Sequence, residues 1–149
     1  MLASIRPDSW NFPLFLHVFG AMVLVGGVLT GAVALAAARG DSRVLRLGYF
    51  SLLTVGLPGY VLMRVGCQWI YAKEGLDDAP IDSTWTTIGF VVSDLGAVLL
   101  LISLIVGGIG VLRLPTGGGK RLLTASMVIS VVLLAAFVVA IWAMGAKPT

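Results

Sequence analysis

The chain contains one cysteine, Cys67, and one histidine, His17. A lone cysteine excludes an intrachain disulfide framework and leaves the redox compartment unread. A lone histidine excludes a bis-histidine haem held by one chain. Charge is scarce as well: 11% of residues are charged, where a soluble domain carries roughly a quarter. No nucleophile–base constellation is spelled out, and no connection between apolar runs is long enough for a catalytic domain. These absences point away from an enzyme.

What fills the 149 residues is apolar: 58% are hydrophobic and the mean hydropathy is +1.03. A body of about 150 residues leaves much of its surface exposed, so the surplus apolar side chains must face lipid. Four runs are long enough for the roughly 20 residues that cross a bilayer. They extend from about Pro13 to Ala38, Val44 to Ala72, Trp85 to Leu112 and Leu122 to Met144. Backbone groups in lipid must bond within their own segment, so the runs read as helices. The first is too long, and has too little basic leader, for a signal-peptide core. The expected fold class is all-α, an integral membrane four-helix up-down bundle forming a single domain.

The connections differ in charge. Arg39, Arg43 and Arg46 surround the first, and Arg113, Lys120 and Arg121 the third; together they hold six of the ten basic groups. The middle connection carries Glu74, Asp77, Asp78 and Asp82 against Lys73. Lys/Arg asymmetry in short loops assigns the first and third connections to the cytoplasm, so both termini are expected outside. Trp10, Trp69, Tyr71, Trp85 and Trp142 lie near that outer boundary, where an aromatic belt belongs. The net charge of +3 is thereby accounted for without a nucleic-acid partner. The segment PTGGGKR at Pro115–Arg121 lacks the first glycine of a phosphate-binding loop, having Leu114 there, and follows no strand.

Arg64 and Asp94 carry most of the chemical information. Each lies about 12–14 Å below the same predicted surface at 1.5 Å per residue, on consecutive antiparallel helices. A charge at that depth costs at least about 2.5–3.5 kcal/mol, and an Arg–carboxylate pair offsets it. The two are expected to meet inside the bundle, either fixing how helices dock or forming part of a proton, ion or ligand site. Tyr60, Arg64, Gln68 and Tyr71 recur at steps of four, four and three, a polar stripe along one helical face. Pro58-Gly59 is expected to kink the helix just before it. His17 is read as a cross-helix hydrogen-bonding group or a member of the Arg64 network. Haem or copper at His17 is the alternative, with Met63, Met22 or Cys67 as further ligand types; otherwise no cofactor is expected. Gly20, Gly27 and Gly31 share a face and suit internal helix packing, with a dimer interface the other use of such a pattern. Gly89, Ser93 and Ala97 repeat at steps of four on the third helix.

The opening helix, FPLFLHVFGAMVLVGG from Phe12 to Gly27, and the ending, AIWAMGAKP from Ala140 to Pro148, resemble an uncharacterised bacterial integral membrane family of the DUF2269 type. That family is in turn similar to CopD-like copper-resistance membrane domains. The resemblance implies a four-helix protein of the bacterial inner membrane, with His17, Gly20 and the Gly26-Gly27 pair at the family's first-helix positions. It assigns no activity, and the methionine, histidine or cysteine pairs of a copper pathway are missing from these spans. Three functions are consistent with the residues. The first is a non-enzymatic accessory or stabilising subunit of a larger membrane complex, or a homo-oligomer. The second is a proton- or ion-coupled transporter-like unit using Arg64 and Asp94. The third is a haem- or metal-binding redox subunit.

Overall fold

The computed structural model describes residues 8–73, 75 and 84–146. The acidic residues Glu74, Asp77, Asp78 and Asp82 lie outside that set, as does the Lys147-Pro148 ending. A short 3-10 turn, Asp8–Trp10, leads into α1, Asn11–Ala37. The second span is built from α2, Ser42–Ser51, a π-helical segment, Leu52–Gly56, and α3, Leu57–Lys73. The third span is α4, Thr84–Arg113, and the fourth is α5, Lys120–Ala146. All four are long and apolar enough to cross a membrane. Only 22–39% of each span's apolar window is buried within the protein, so the remaining surface is suited to hydrocarbon. The chain is therefore an all-α, multi-span membrane bundle.

Local chemistry sets the turns. Asp41 caps α2, its carboxylate accepting from the Arg43 backbone N–H at 2.8 Å, as favoured at a helix start. Past α4, Gly119 has a φ of 86°, and a Cβ there would fall on the Gly110 carbonyl. Only glycine satisfies both conditions. The second span departs from a simple kink. Pro58 has no N–H to offer the preceding turn, and the chain answers one turn earlier by widening into the π segment. There the Leu57 N–H donates to the Leu52 carbonyl, five residues back, and the Thr54 hydroxyl donates to the Phe50 carbonyl at 2.8 Å.

The helices form a ring: the second span packs on α1, α1 on α5, and α5 on α4. The α1 seam is nearly backbone against backbone. A Cβ at Gly27 would stand 2.5 Å from the Gly56 nitrogen, and one at Gly31 would stand 2.7 Å from the Leu52 side chain. Gly20, Gly59 and Gly66 make equally close approaches along the same seam. The three α1 glycines thus serve internal packing. Between α4 and α5, buried Ser103 and Ser126 face each other with hydroxyl oxygens 2.8 Å apart. One hydroxyl donates to the other, which donates in turn to the opposite backbone carbonyl. Ser130 donates to the Ser126 carbonyl at 2.8 Å, so the polar cluster is satisfied internally.

The ring closes least well between the second span and α4. We call the end with the α1–α2 and α4–α5 turns the lower end, and the opposite end the upper. At the lower end Tyr49 of α2 lies against Gly107 and Gly108 of α4. Above it Leu24, Val28, Leu52, Leu100 and Leu133 form a sealed core with at most 1% exposure each. Higher still, α3 and α4 diverge, and their gap is bridged by side chains.

Candidate functional site

The α3–α4 gap is crossed by α3 side chains long enough to span it. The Tyr60 hydroxyl donates to the Ser93 carbonyl at 3.2 Å. Arg64 donates through Nη1 to Ser93 Oγ at 3.1 Å and pairs through Nη2 with Asp94 Oδ1 at 2.8 Å. Its guanidinium also lies 5.8 Å from the centroid of the Phe90 ring, within cation–π range. The same ring meets Tyr71 edge-on, with centroids 5.3 Å apart. Arg64 and Asp94 therefore meet, about 14–15 Å along their helices from Lys73 and Thr84 at 1.5 Å per residue.

Their placement corrects the interior location expected from the sequence. The α4 residue that faces α3 is Ser93, and Asp94 sits about 100° further round the helix. The Arg64 side chain is 27% exposed, but that of Asp94 is 62% exposed, on the flank of the bundle. Gln68 is likewise exposed rather than interior; one turn past Arg64 the stripe has drifted about 40° around α3. Among the described residues the Gln68 side chain has no hydrogen-bond partner. Of the expected network, Tyr60, Arg64 and Asp94 are joined, through Ser93. Tyr71 is attached through Phe90, while Gln68 and His17 stand apart from the ion pair.

His17 hydrogen-bonds across helices, with Nδ1 3.0 Å from the Met63 carbonyl. A carbonyl only accepts, so Nδ1 carries the proton in this contact. A backbone carbonyl has no sequence signature, so this partner could not be read beforehand. Ser93 was visible only as one of a run of small residues, yet its hydroxyl and carbonyl form the hub of the α3–α4 junction.

Behind Arg64, in the upper half, lies a cavity of about 290 Å³. All four spans wall it: Leu14 and Leu24 from α1, Ile70 from α3, Val92 from α4, and Phe137 and Ile141 from α5. His17, Arg64, Cys67 and Ser93 supply polar edges. Leu24 at its floor belongs to the sealed core, so the cavity ends halfway through the bundle. Arg64 is the contact between two places: it lines the cavity on one side and holds Asp94 at the flank on the other. His17, Met63 and Cys67 all reach the cavity wall. Among the described residues, however, no three His, Cys, Asp or Glu side chains come together as a metal centre would require. No family model, curated protein or solved structure matches this chain.

Proposed function

We propose that the protein is a proton- or ion-coupled membrane unit whose exchangeable element is the Arg64–Asp94 pair. The observation that carries this reading is the unequal hold on the two charges. Arg64 is anchored by Ser93 and Phe90 as well as by Asp94. Asp94 is held, among the described residues, by Arg64 alone and is exposed. A pair whose only task is docking gains from satisfying both partners, because a half-satisfied charge in hydrocarbon is costly. Here the base is fixed and the acid is free to exchange its salt bridge for a proton.

Infrared difference spectra of the protein in lipid nanodiscs test the exchange. Acidification should raise a protonated carboxyl band. That band should be absent in Asp94→Asn. A spectrum with no Asp94 band at any pH at which the protein stays folded sinks the reading.

The exposure of Asp94 also supports a second reading, an accessory subunit or homo-oligomer in which a neighbouring helix covers the flank. Native mass spectrometry from gentle detergent distinguishes them: a monomer with no co-purifying subunit argues for the first. We further propose a bacterial inner-membrane location with both termini outside, resting on the basic lower turns. In a Cys67→Ala background, cysteines at Lys73 and Gly145 should label in intact cells, and cysteines at Ser42 and Gly118 should not. The reverse pattern inverts the orientation.

A further inference from the structure

We infer that the cavity behind Arg64 binds a lipophilic anion, and that the anion enters together with a proton on Asp94. The inference rests on the exchangeable-pair reading and adds to it the class of ligand.

The shape and lining of the cavity limit the occupant. Its volume, about 290 Å³, is at the lower end of the range that holds small organic ligands. The walls are aliphatic and aromatic side chains from all four spans. Such walls would strip a hydrophilic anion of most of its water and offer polar groups only at one edge, near His17, Arg64, Cys67 and Ser93, so inorganic phosphate or a sugar acid is a poor fit. An alkyl or aryl body is a good one. Among the described residues the wall carries one permanent charge, the Arg64 guanidinium, suited to an acidic head group.

Charge neutrality then dictates the coupling. With Asp94 ionised, Arg64 is already neutralised, and an entering anion would add an uncompensated charge in a low-dielectric space. With Asp94 protonated, the guanidinium is left unbalanced, and an anion in the cavity restores neutrality from the opposite side. Anion and proton thus favour each other's binding, and by linkage the effect is reciprocal. Ser93 Oγ and the Phe90 ring hold Arg64 by contacts that do not involve Asp94, so the guanidinium does not have to travel.

Other titratable groups face this region. On α3 they are Tyr60, Cys67 and Tyr71, and on α1 His17; α5 contributes Phe137, Ala140, Ile141 and Met144, none of which titrates. The tyrosines and the thiol are neutral in their acid forms, as an anion site requires. Among the described residues His17 is the one competing source of a pH effect, because an imidazolium would also attract an anion. The Asp94→Asn variant separates the two.

The test uses decane-1-sulfonate, whose charge does not titrate, beside 1-decanol and decyltrimethylammonium. Binding is measured by calorimetry to the full chain in nanodiscs, with empty nanodiscs correcting for lipid partitioning. Wild-type affinity for the sulfonate should rise about tenfold per pH unit of acidification while Asp94 titrates, one proton per anion. Asp94→Asn should bind at every pH as tightly as wild type at its acid limit. The charge-free double variant, Arg64→Met with Asp94→Asn, should lose sulfonate binding while still taking up decanol, which shows that its cavity is intact. A flat pH profile in wild type overturns the coupling. A slope that survives in Asp94→Asn transfers it to His17 and overturns the assignment to Asp94. Equal binding of sulfonate, decanol and the ammonium, or of sulfonate to the charge-free variant, overturns the anion site. An infrared band for Asp94 without sulfonate binding leaves the exchangeable pair standing and removes the ligand. Absence of the band removes both.

Discussion

The second span has two neighbours, and it meets them in opposite ways. Against α1 it presents glycines, and the two backbones close to the limit of contact. Against α4, in the upper half of the bundle, it presents Tyr60 and Arg64, whose side chains reach across an open gap. Lipid supplies no hydrophobic drive between helices, so close backbone packing is what holds the α1 seam. The α4 side gives up that packing and gains a cavity and a charge pair. One flank of the same helix is therefore built for fixity, and the other for a site.

Crowding the closed flank should produce the largest effect. Gly27→Leu places a side chain against the Gly56 backbone, which cannot rotate aside, and overpacking typically costs about 1–3 kcal/mol. We expect the upper end of that range or outright misfolding, read as thermal unfolding in detergent. A Cβ at the adjacent Gly26 would meet no atom within 4 Å, so Gly26→Leu should leave the midpoint nearly unchanged. Equal losses at both positions would show that the seam is not where the stability resides.

On the open flank the expected effect is smaller. Breaking a fully buried pair costs about 3–5 kcal/mol, but the Asp94 side chain is 62% exposed. Measured couplings inside membranes reach about 1.7 kcal/mol. A double-mutant cycle of Arg64→Met and Asp94→Leu should therefore give a coupling of about 1–2 kcal/mol, with the double variant recovering much of the single-variant loss. Coupling under about 0.5 kcal/mol, the level at which independent sites add, would mean that the pair contributes nothing to docking.

The smallest effect belongs to the α4–α5 seam. Ser126→Ala removes one hydroxyl from a cluster that retains the Ser126 carbonyl as acceptor for both Ser103 and Ser130. Interhelical hydrogen bonds in membranes average about 0.6 kcal/mol, and a loss of that order is expected in the same unfolding assay. A loss as large as that of Gly27→Leu would place the polar seam, rather than the glycine seam, at the centre of the fold.

Much of this contrast was legible in the sequence, and the reasons are geometric. Run length and loop charge make four spans nearly unavoidable, and a fixed rise per residue sets Arg64 and Asp94 at one depth. Depth is one-dimensional, however, whereas facing depends on how each helix is rolled. The roll of α4 is fixed by contacts with α5 through Ser103 and Gly110, which no local pattern announces. For that reason Ser93, not Asp94, faces α3, and Gln68 faces out. The apolar walls of the cavity left no trace either, because they arise from the divergence of two helices rather than from any run of residues. Pro58-Gly59 did signal a distortion, but not that the chain would absorb it as a wide turn ahead of the proline.

The exchange at Asp94 is measured most directly as a distance. Solid-state NMR of the lipid-embedded protein can report the separation between the Asp94 carboxyl carbon and the Arg64 guanidinium carbon at neutral and at acid pH. The contact should be present at neutral pH and lost on acidification, while the Arg64–Ser93 contact persists at both. A carboxyl–guanidinium distance unchanged through the titration, or an Arg64 that leaves Ser93 together with Asp94, contradicts an acid that exchanges against a fixed base.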